Sequence, residues 1–275
     1  MPEKHFSACP FPCFGTFFAL CAGVLWGGCD FLRSPSRPLS ALWLRSAQKE
    51  KACLVVFLPG FLDRAETFVD RGFPQALFRE EIPCDVVALD LHIRYYTSLD
   101  VGDLVYEEVI DPALGRGYGE IWMVGISMGG LGALWTGAKH GSNLAGIVLI
   151  APFLGEERVL KRIEAKGGAR MWTEREKWLK AEWSPENYTE KIWAWLGSLG
   201  EEPMVFAGWG KDDARGKGGK LLRELLPEGH LFIEEGGHNW QTWKPIWKKM
   251  LGRIPFGRLG RASLNVLAFE SRSTP

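Results

Sequence analysis

Ser127 stands between two glycines in the stretch GISMGG, where the apolar run EIWMVG gives way to the helical pattern LGALWTGAKH. A serine on so sharp a turn has three readings: a nucleophile raised above a sheet, part of a glycine loop that cradles phosphate, or a close-packed corner without chemistry. A dinucleotide loop wants glycine at position 127 and an acidic residue ending the next apolar strand, and AGIVLIAPF has no acid. A nucleophile wants a base, and an acid to orient that base. FAGWGKDDARG offers Asp212 and Asp213 after one later apolar run, and FIEEGGHNW offers His238 after the last. The Met128 N–H, next to Ser127 at the start of the helical pattern, would then face the oxyanion that forms on attack.

The runs that must position these residues are ACLVVFLPG, CDVVALDLH, EIWMVG, AGIVLIAPF, PMVFAGWG and HLFIEEGG. They are apolar throughout and separated by longer segments of helical spacing, which predicts a parallel sheet covered on both faces. DRAETFVDRGFPQALFREE reads as helix broken or bent at Gly72 and Pro74. The expected organisation is a leader at 1–28, a linker at 29–50, one α/β domain at 51–252 and a tail at 253–275. A helical cap insertion is expected at about 155–200, with helices in MWTEREKWLKAEW and KIWAWLGSL.

The order serine, acid, histidine, each at the end of a predicted strand, resembles the α/β-hydrolase superfamily over roughly residues 50 to 252. LPGF is similar to its oxyanion loop, GISMGG to its nucleophile elbow, GKDD to its acid turn and GGH to its histidine loop. The resemblance implies a doubly wound, mostly parallel sheet with a helical cap. It implies Ser127 as nucleophile, His238 as base and Asp213 as the orienting acid, with Asp212 the alternative. The backbone N–H groups of Phe61 and Met128 would form the oxyanion hole. Leu62 and Trp240 would wall the substrate pocket. Pro59 departs from the histidine that many members carry before the loop glycine.

The implied activity is a serine hydrolase cleaving a carboxylic ester or thioester of a small molecule or lipid, with no metal and no organic cofactor. An acyltransferase or peptidase would use the same triad, and a non-catalytic binding or scaffold protein could share the fold. Taken singly, His238 reads as an ordinary loop histidine and the aspartate pair as turn chemistry; the three residues in order favour catalysis.

Lysine plus arginine and aspartate plus glutamate both number 33, and no basic stripe stands out, which argues against a nucleic-acid partner. FGTFFALCAGVLWGG, an uncharged run too short to span a bilayer comfortably, suits the apolar part of an export signal. Small residues then precede Cys29, which resembles a bacterial lipoprotein signal with Cys29 as the lipidated residue. An ordinary signal or an uncleaved anchor is the alternative, and the expected location is periplasmic or membrane-anchored, otherwise cytoplasmic. Cys53 and Cys84 each open a predicted strand and would lie close if those strands are neighbours, either paired or as buried thiols. Oligomeric state is left open. Most of the 13 tryptophans fall in the second half and read mainly as packing. Thr242 is expected to cap the last helix, with Pro245 in its first turn.

Overall fold

The computed structural model describes residues 33–47, 53–98, 100–214 and 217–258. Seven strands form one sheet in the order β1-β3-β2-β4-β5-β6-β7. The strands are β1 Ala41–Leu44, β2 Cys53–Leu58, β3 Cys84–Leu89, β4 Glu120–Ile126, β5 Gly146–Ile150, β6 Met204–Gly210 and β7 Leu231–Glu234. All neighbours are parallel except β1, which runs antiparallel along β3. Every residue of β2, β3, β4 and β5 is buried, as a parallel sheet with two covered faces requires.

Alternate side chains of each strand feed two cores. Val55, Phe57, Val124 and Val148 pack under α1 (Ala65–Asp70), α2 (Phe73–Arg79) and α11 (Trp240–Leu251). Leu54, Val56, Met123 and Leu149 face the larger group. That group runs α3 (Ile93–Ser98), α4 (Val101–Val105), a π-helical turn (Tyr106–Ile110), α5 (Asp111–Gly115), α6 (Met128–His140), α7 (Glu157–Ala165), α8 (Arg175–Lys180), α9 (Tyr188–Leu196) and α10 (Gly219–Leu225). The expected break at Gly72 and Pro74 falls between α1 and α2. Gly72 adopts φ +80°, and Pro74 sits in the first turn of α2, where its missing N–H costs nothing.

The domain is longer at both ends than the sequence suggested. The 29–50 stretch, expected as a linker, carries β1, a four-residue edge strand too short to stand out beside prolines and serines. Beyond residue 252, Ile254 and Phe256 are buried, and Gly257 N–H donates to the Glu120 carboxylate at 3.0 Å. The expected leader and the far tail lie outside the described residues. Among the described residues no helix is long and apolar enough to cross a membrane, and no cluster of three or more His, Cys, Asp or Glu could hold a metal.

Cys53 and Cys84 are register partners on β2 and β3, their Cα atoms 4.5 Å apart, and they form a disulfide. The insertion at 155–200 forms α7, α8 and α9. Its tryptophans serve packing: Trp193 is fully buried and donates to Leu154 O at 2.9 Å, and Trp195 lies against Gly137 of α6 and Gly141 just beyond its end. Trp183 stacks on Trp135 at 5.9 Å with the Lys139 and Lys191 ammonium groups over its ring.

Asp85 pins the edge strand. Its buried carboxylate accepts from Tyr118 OH at 2.6 Å, Arg45 Nη1 at 2.6 Å and Ser46 N at 2.8 Å. Burial pushes its pKa up, but these three donors and the Arg45 charge outweigh burial and hold it below the ordinary value. Asp85 therefore contributes stability that is present above the unfolded aspartate pKa and lost as pH falls through the lower folded value. Asp85→Ala is expected to cost about 2–4 kcal/mol at pH 7, because the Tyr118 hydroxyl, the Arg45 guanidinium and the Ser46 N–H all lose the acceptor they share. Urea unfolding at pH 7 and pH 3 should show that cost shrinking at the lower pH.

Candidate active site

The C-terminal ends of β2, β4, β6 and β7 converge on one point. At the end of β4 the chain turns directly into α6 through Ser127, whose φ of +52° and ψ of −113° lie outside the regions open to most side chains. Glycines make that turn fit. A Cβ at Gly129 would meet Leu58 O at 2.0 Å, and one at Gly125 would meet Gly129 O at 2.3 Å. A Cβ at Gly130 would meet Pro152 Cβ at 2.7 Å. Ser127 is held by its neighbours as well: its N–H donates to Ile150 O at 3.0 Å, and its carbonyl accepts from Phe153 N at 2.8 Å. The strained backbone is thus over-determined from β2 and β5.

The acid and histidine turns are zipped together by backbone bonds. Lys211 N donates to Glu234 O at 2.8 Å and Asp212 N to Gly236 O at 3.0 Å. A side chain at Gly210 would collide with Gly236 O at 2.0 Å, and Gly236 itself needs φ +108°. This pairing carries His238 to Ser127. His238 Nδ1 lies 2.8 Å from Asp213 Oδ2, and His238 Nε2 lies 3.0 Å from Ser127 Oγ. The Asp213 side chain is wholly buried, and that of His238 is 12% exposed. Asp213 Oδ2 can only accept, so Nδ1 carries the ring hydrogen and Nε2 is left to accept from the Ser127 hydroxyl. Asp212 is exposed and its side chain is not part of this relay; the two candidate acids are separated by geometry.

The two expected oxyanion donors flank the serine. Met128 is the first residue of α6, so its N–H has no acceptor within the helix. Phe61 follows Gly60 in the turn after β2, and a Cβ on Gly60 would lie 3.7 Å from Ser127 Cβ. Leu62, expected to wall the pocket, stands on the rim, 57% exposed.

Trp240, expected to wall the pocket, opens α11, with its ring edge-on to Phe68 at 6.0 Å and Phe73 at 5.3 Å. The cap of this helix is Asn239, whose Oδ1 accepts from Thr242 N at 3.1 Å, so Thr242 is the capped residue and not the cap. Pro245 falls inside the helix, on its exposed side, where water can serve the carbonyl it leaves unpaired.

The sequence reading missed Asp63. Its half-buried carboxylate sits against Gly60, 2.9 Å from where a Cβ would be. Burial raises its pKa; the nearby Trp240 indole and the Arg71 and His238 charges oppose that without cancelling it. The signal in the sequence was only an aspartate four residues after Pro59, indistinguishable from turn chemistry.

Residues 55–255 match the model of the alpha/beta hydrolase family. The chain belongs to that family. Solved structures share the fold at low identity. MPT51 of Mycobacterium tuberculosis is 16% identical with a TM-score of 0.54, covering 80% of this chain and 95% of its own. The S-formylglutathione hydrolase of Agrobacterium tumefaciens is 14% identical with a TM-score of 0.52, covering 78% and 88%. A monoacylglycerol lipase of Paleococcus ferrophilus is 13% identical with a TM-score of 0.50, covering 78% and 99%. No curated protein sequence matches the chain.

A raised carboxylate pKa means that folding disfavours the charged form of Asp63. That cost is absent below the unfolded aspartate pKa and present above the folded one. Asp63→Asn keeps the size and shape of the side chain and removes the charge. The variant is expected to melt higher than the parent at pH 7, and thermal scans at decreasing pH should show the advantage vanishing as Asp63 becomes protonated.

Proposed function

We propose that this hydrolase-fold protein is a serine hydrolase that cleaves a carboxylic ester or thioester through an acyl-enzyme. The observation that carries the reading is the unbroken relay from buried Asp213 through His238 to Ser127 on a strained turn. A packing corner has no use for that strain, nor a binding module for that relay.

In this reading the Ser127 oxygen attacks the acyl carbonyl carbon as its proton passes to His238 Nε2. The carbonyl oxygen becomes the oxyanion and takes hydrogen bonds from the Phe61 and Met128 N–H groups, helped by the positive end of α6. Asp213 holds the ring and stabilises its cation without taking the proton. Collapse of the intermediate breaks the bond to the leaving alkoxide or thiolate, which receives the proton from Nε2. Water then enters, gives a proton to Nε2 and attacks the acyl-serine. A second collapse releases the carboxylic acid and returns the proton to Ser127. No step calls for a metal or organic cofactor. We also read 1–28 as an export leader, with Cys29 as its lipidation site.

Rates on 4-nitrophenyl acyl esters and matching thioesters test the assignment. Ser127→Ala or His238→Ala is expected to lower kcat/KM by about 10⁴-fold or more, and Asp213→Asn by about 10⁴-fold. Asp212→Asn should leave the rate near that of the parent. A large loss at Asp212 with little at Asp213 would reverse the choice of acid.

A further inference from the structure

The antiparallel edge strand decides where the N-terminal segment joins the domain. β1 pairs Ala41 with Leu89 and Leu44 with Val86, so its first residue lies at the C-terminal end of β3. That is the end of the sheet at which Ser127, Asp213 and His238 gather. Upstream of β1 the chain is tied down at the same end. Asp90 N donates to Ser40 O at 2.9 Å, and Leu39 N donates to the Glu108 carboxylate. Ser36 N donates to Tyr95 OH at 3.0 Å, and Arg33 forms an ion pair with Asp90, the residue directly after β3. The strand β3 stands two places from β4 in the sheet, which is about 10 Å at ordinary strand spacing. The described chain therefore begins at Arg33, on the catalytic end, close beside the nucleophile's strand.

The sequence just upstream is the uncharged run at 14–28, followed by Cys29. Three residues lie between Cys29 and Arg33, and the four steps of a fully extended chain cover no more than about 14 Å. An anchor at Cys29, or an uncleaved apolar anchor ending there, leaves the domain no room to turn its catalytic end away. The rim on that end also exposes Leu62, which with Met171 and Leu179 makes up the exposed large apolar side chains among the described residues.

We propose that the catalytic end of the sheet rests on the phospholipid bilayer that holds the chain's own N-terminal segment, and that the substrate is an acyl ester of an amphiphile drawn from that bilayer. This rests on the hydrolase reading for the reaction and on the leader reading for the anchor. A short tether makes membrane lipid the reactant at highest effective concentration. A soluble ester must instead reach the site through the gap between domain and bilayer.

The full chain, reconstituted into vesicles of phosphatidylethanolamine and phosphatidylglycerol, tests this. An environment-sensitive dye is attached through a non-natural azide-bearing residue at position 62 on the catalytic rim, or at position 228 in the loop that precedes β7 at the opposite end. The dye at 62 is expected to shift to the blue on reconstitution while that at 228 stays in water. A dye-labelled phosphatidylglycerol should be cleaved at least tenfold faster in the carrier vesicles than in vesicles added afterwards. A long glycine-serine spacer inserted between 32 and 33 should abolish that difference and leave the rate on a soluble butyrate ester unchanged. A blue shift at 228, a shift at neither position, or failure of the full chain to associate with vesicles overturns the proposal. Equal cleavage in carrier and added vesicles overturns the substrate assignment. Absence of soluble-ester hydrolysis counts against the hydrolase reading alone, since the two dyes still report which end meets the bilayer.

Discussion

The contact between Gly129 and the carbonyl of Leu58 is the constraint on which the site is built. There is no room for a methyl group between the first turn of α6 and the end of β2. That closeness forces the chain at Ser127 into a positive φ, which in turn raises the hydroxyl above the sheet. It also brings the turn after β2 against the N-terminus of α6, where a Cβ on Gly129 would lie 2.7 Å from Pro59 O and one on Gly60 3.7 Å from Ser127 Cβ. The partners on β6 and β7 then need only be delivered to that hydroxyl. Their delivery depends on a second glycine contact, Gly210 against Gly236, that brings the acid and histidine turns together.

The features legible in the sequence were those with a strict physical requirement. A tight strand-to-helix turn admits only small neighbours, so GISMGG was readable; the fully buried strands were readable because parallel strands are apolar on both faces. Register was not readable. Cys53 facing Cys84 follows from how β2 pairs with β3, and the two residues only share a position at the start of their runs. The resemblance favoured Asp213 over Asp212, but the physical reason for that choice was not legible in the residues themselves. It depends on Asp213 N bonding back to Gly210 O, a turn that places one aspartate inside and leaves its neighbour in water.

What the sequence hid was short or irregular. β1 is four residues in a stretch rich in serine and proline, and nothing local distinguishes it from a linker. Asn239 displaced Thr242 as the cap of α11 because its side chain reaches the Thr242 N–H while its own backbone stays extended. With Asn239 as the cap, Trp240 is the first residue of the helix and packs edge-on against Phe68 and Phe73. Asp63 and Asp85 show opposite balances of the same forces. Three donors outweigh burial at Asp85, whereas at Asp63 burial wins, so a charge is kept beside the site at a cost in stability.

The central claim is that His238 makes Ser127 a nucleophile, and covalent labelling tests it most directly. The protein is treated with a fluorophosphonate, and the modified peptide is identified by mass spectrometry, beside the same experiment on His238→Ala. The account predicts a single phosphonylated residue, Ser127, in the parent protein and no label in the variant. Folded protein that takes no label at Ser127, or takes it equally without His238, would contradict it.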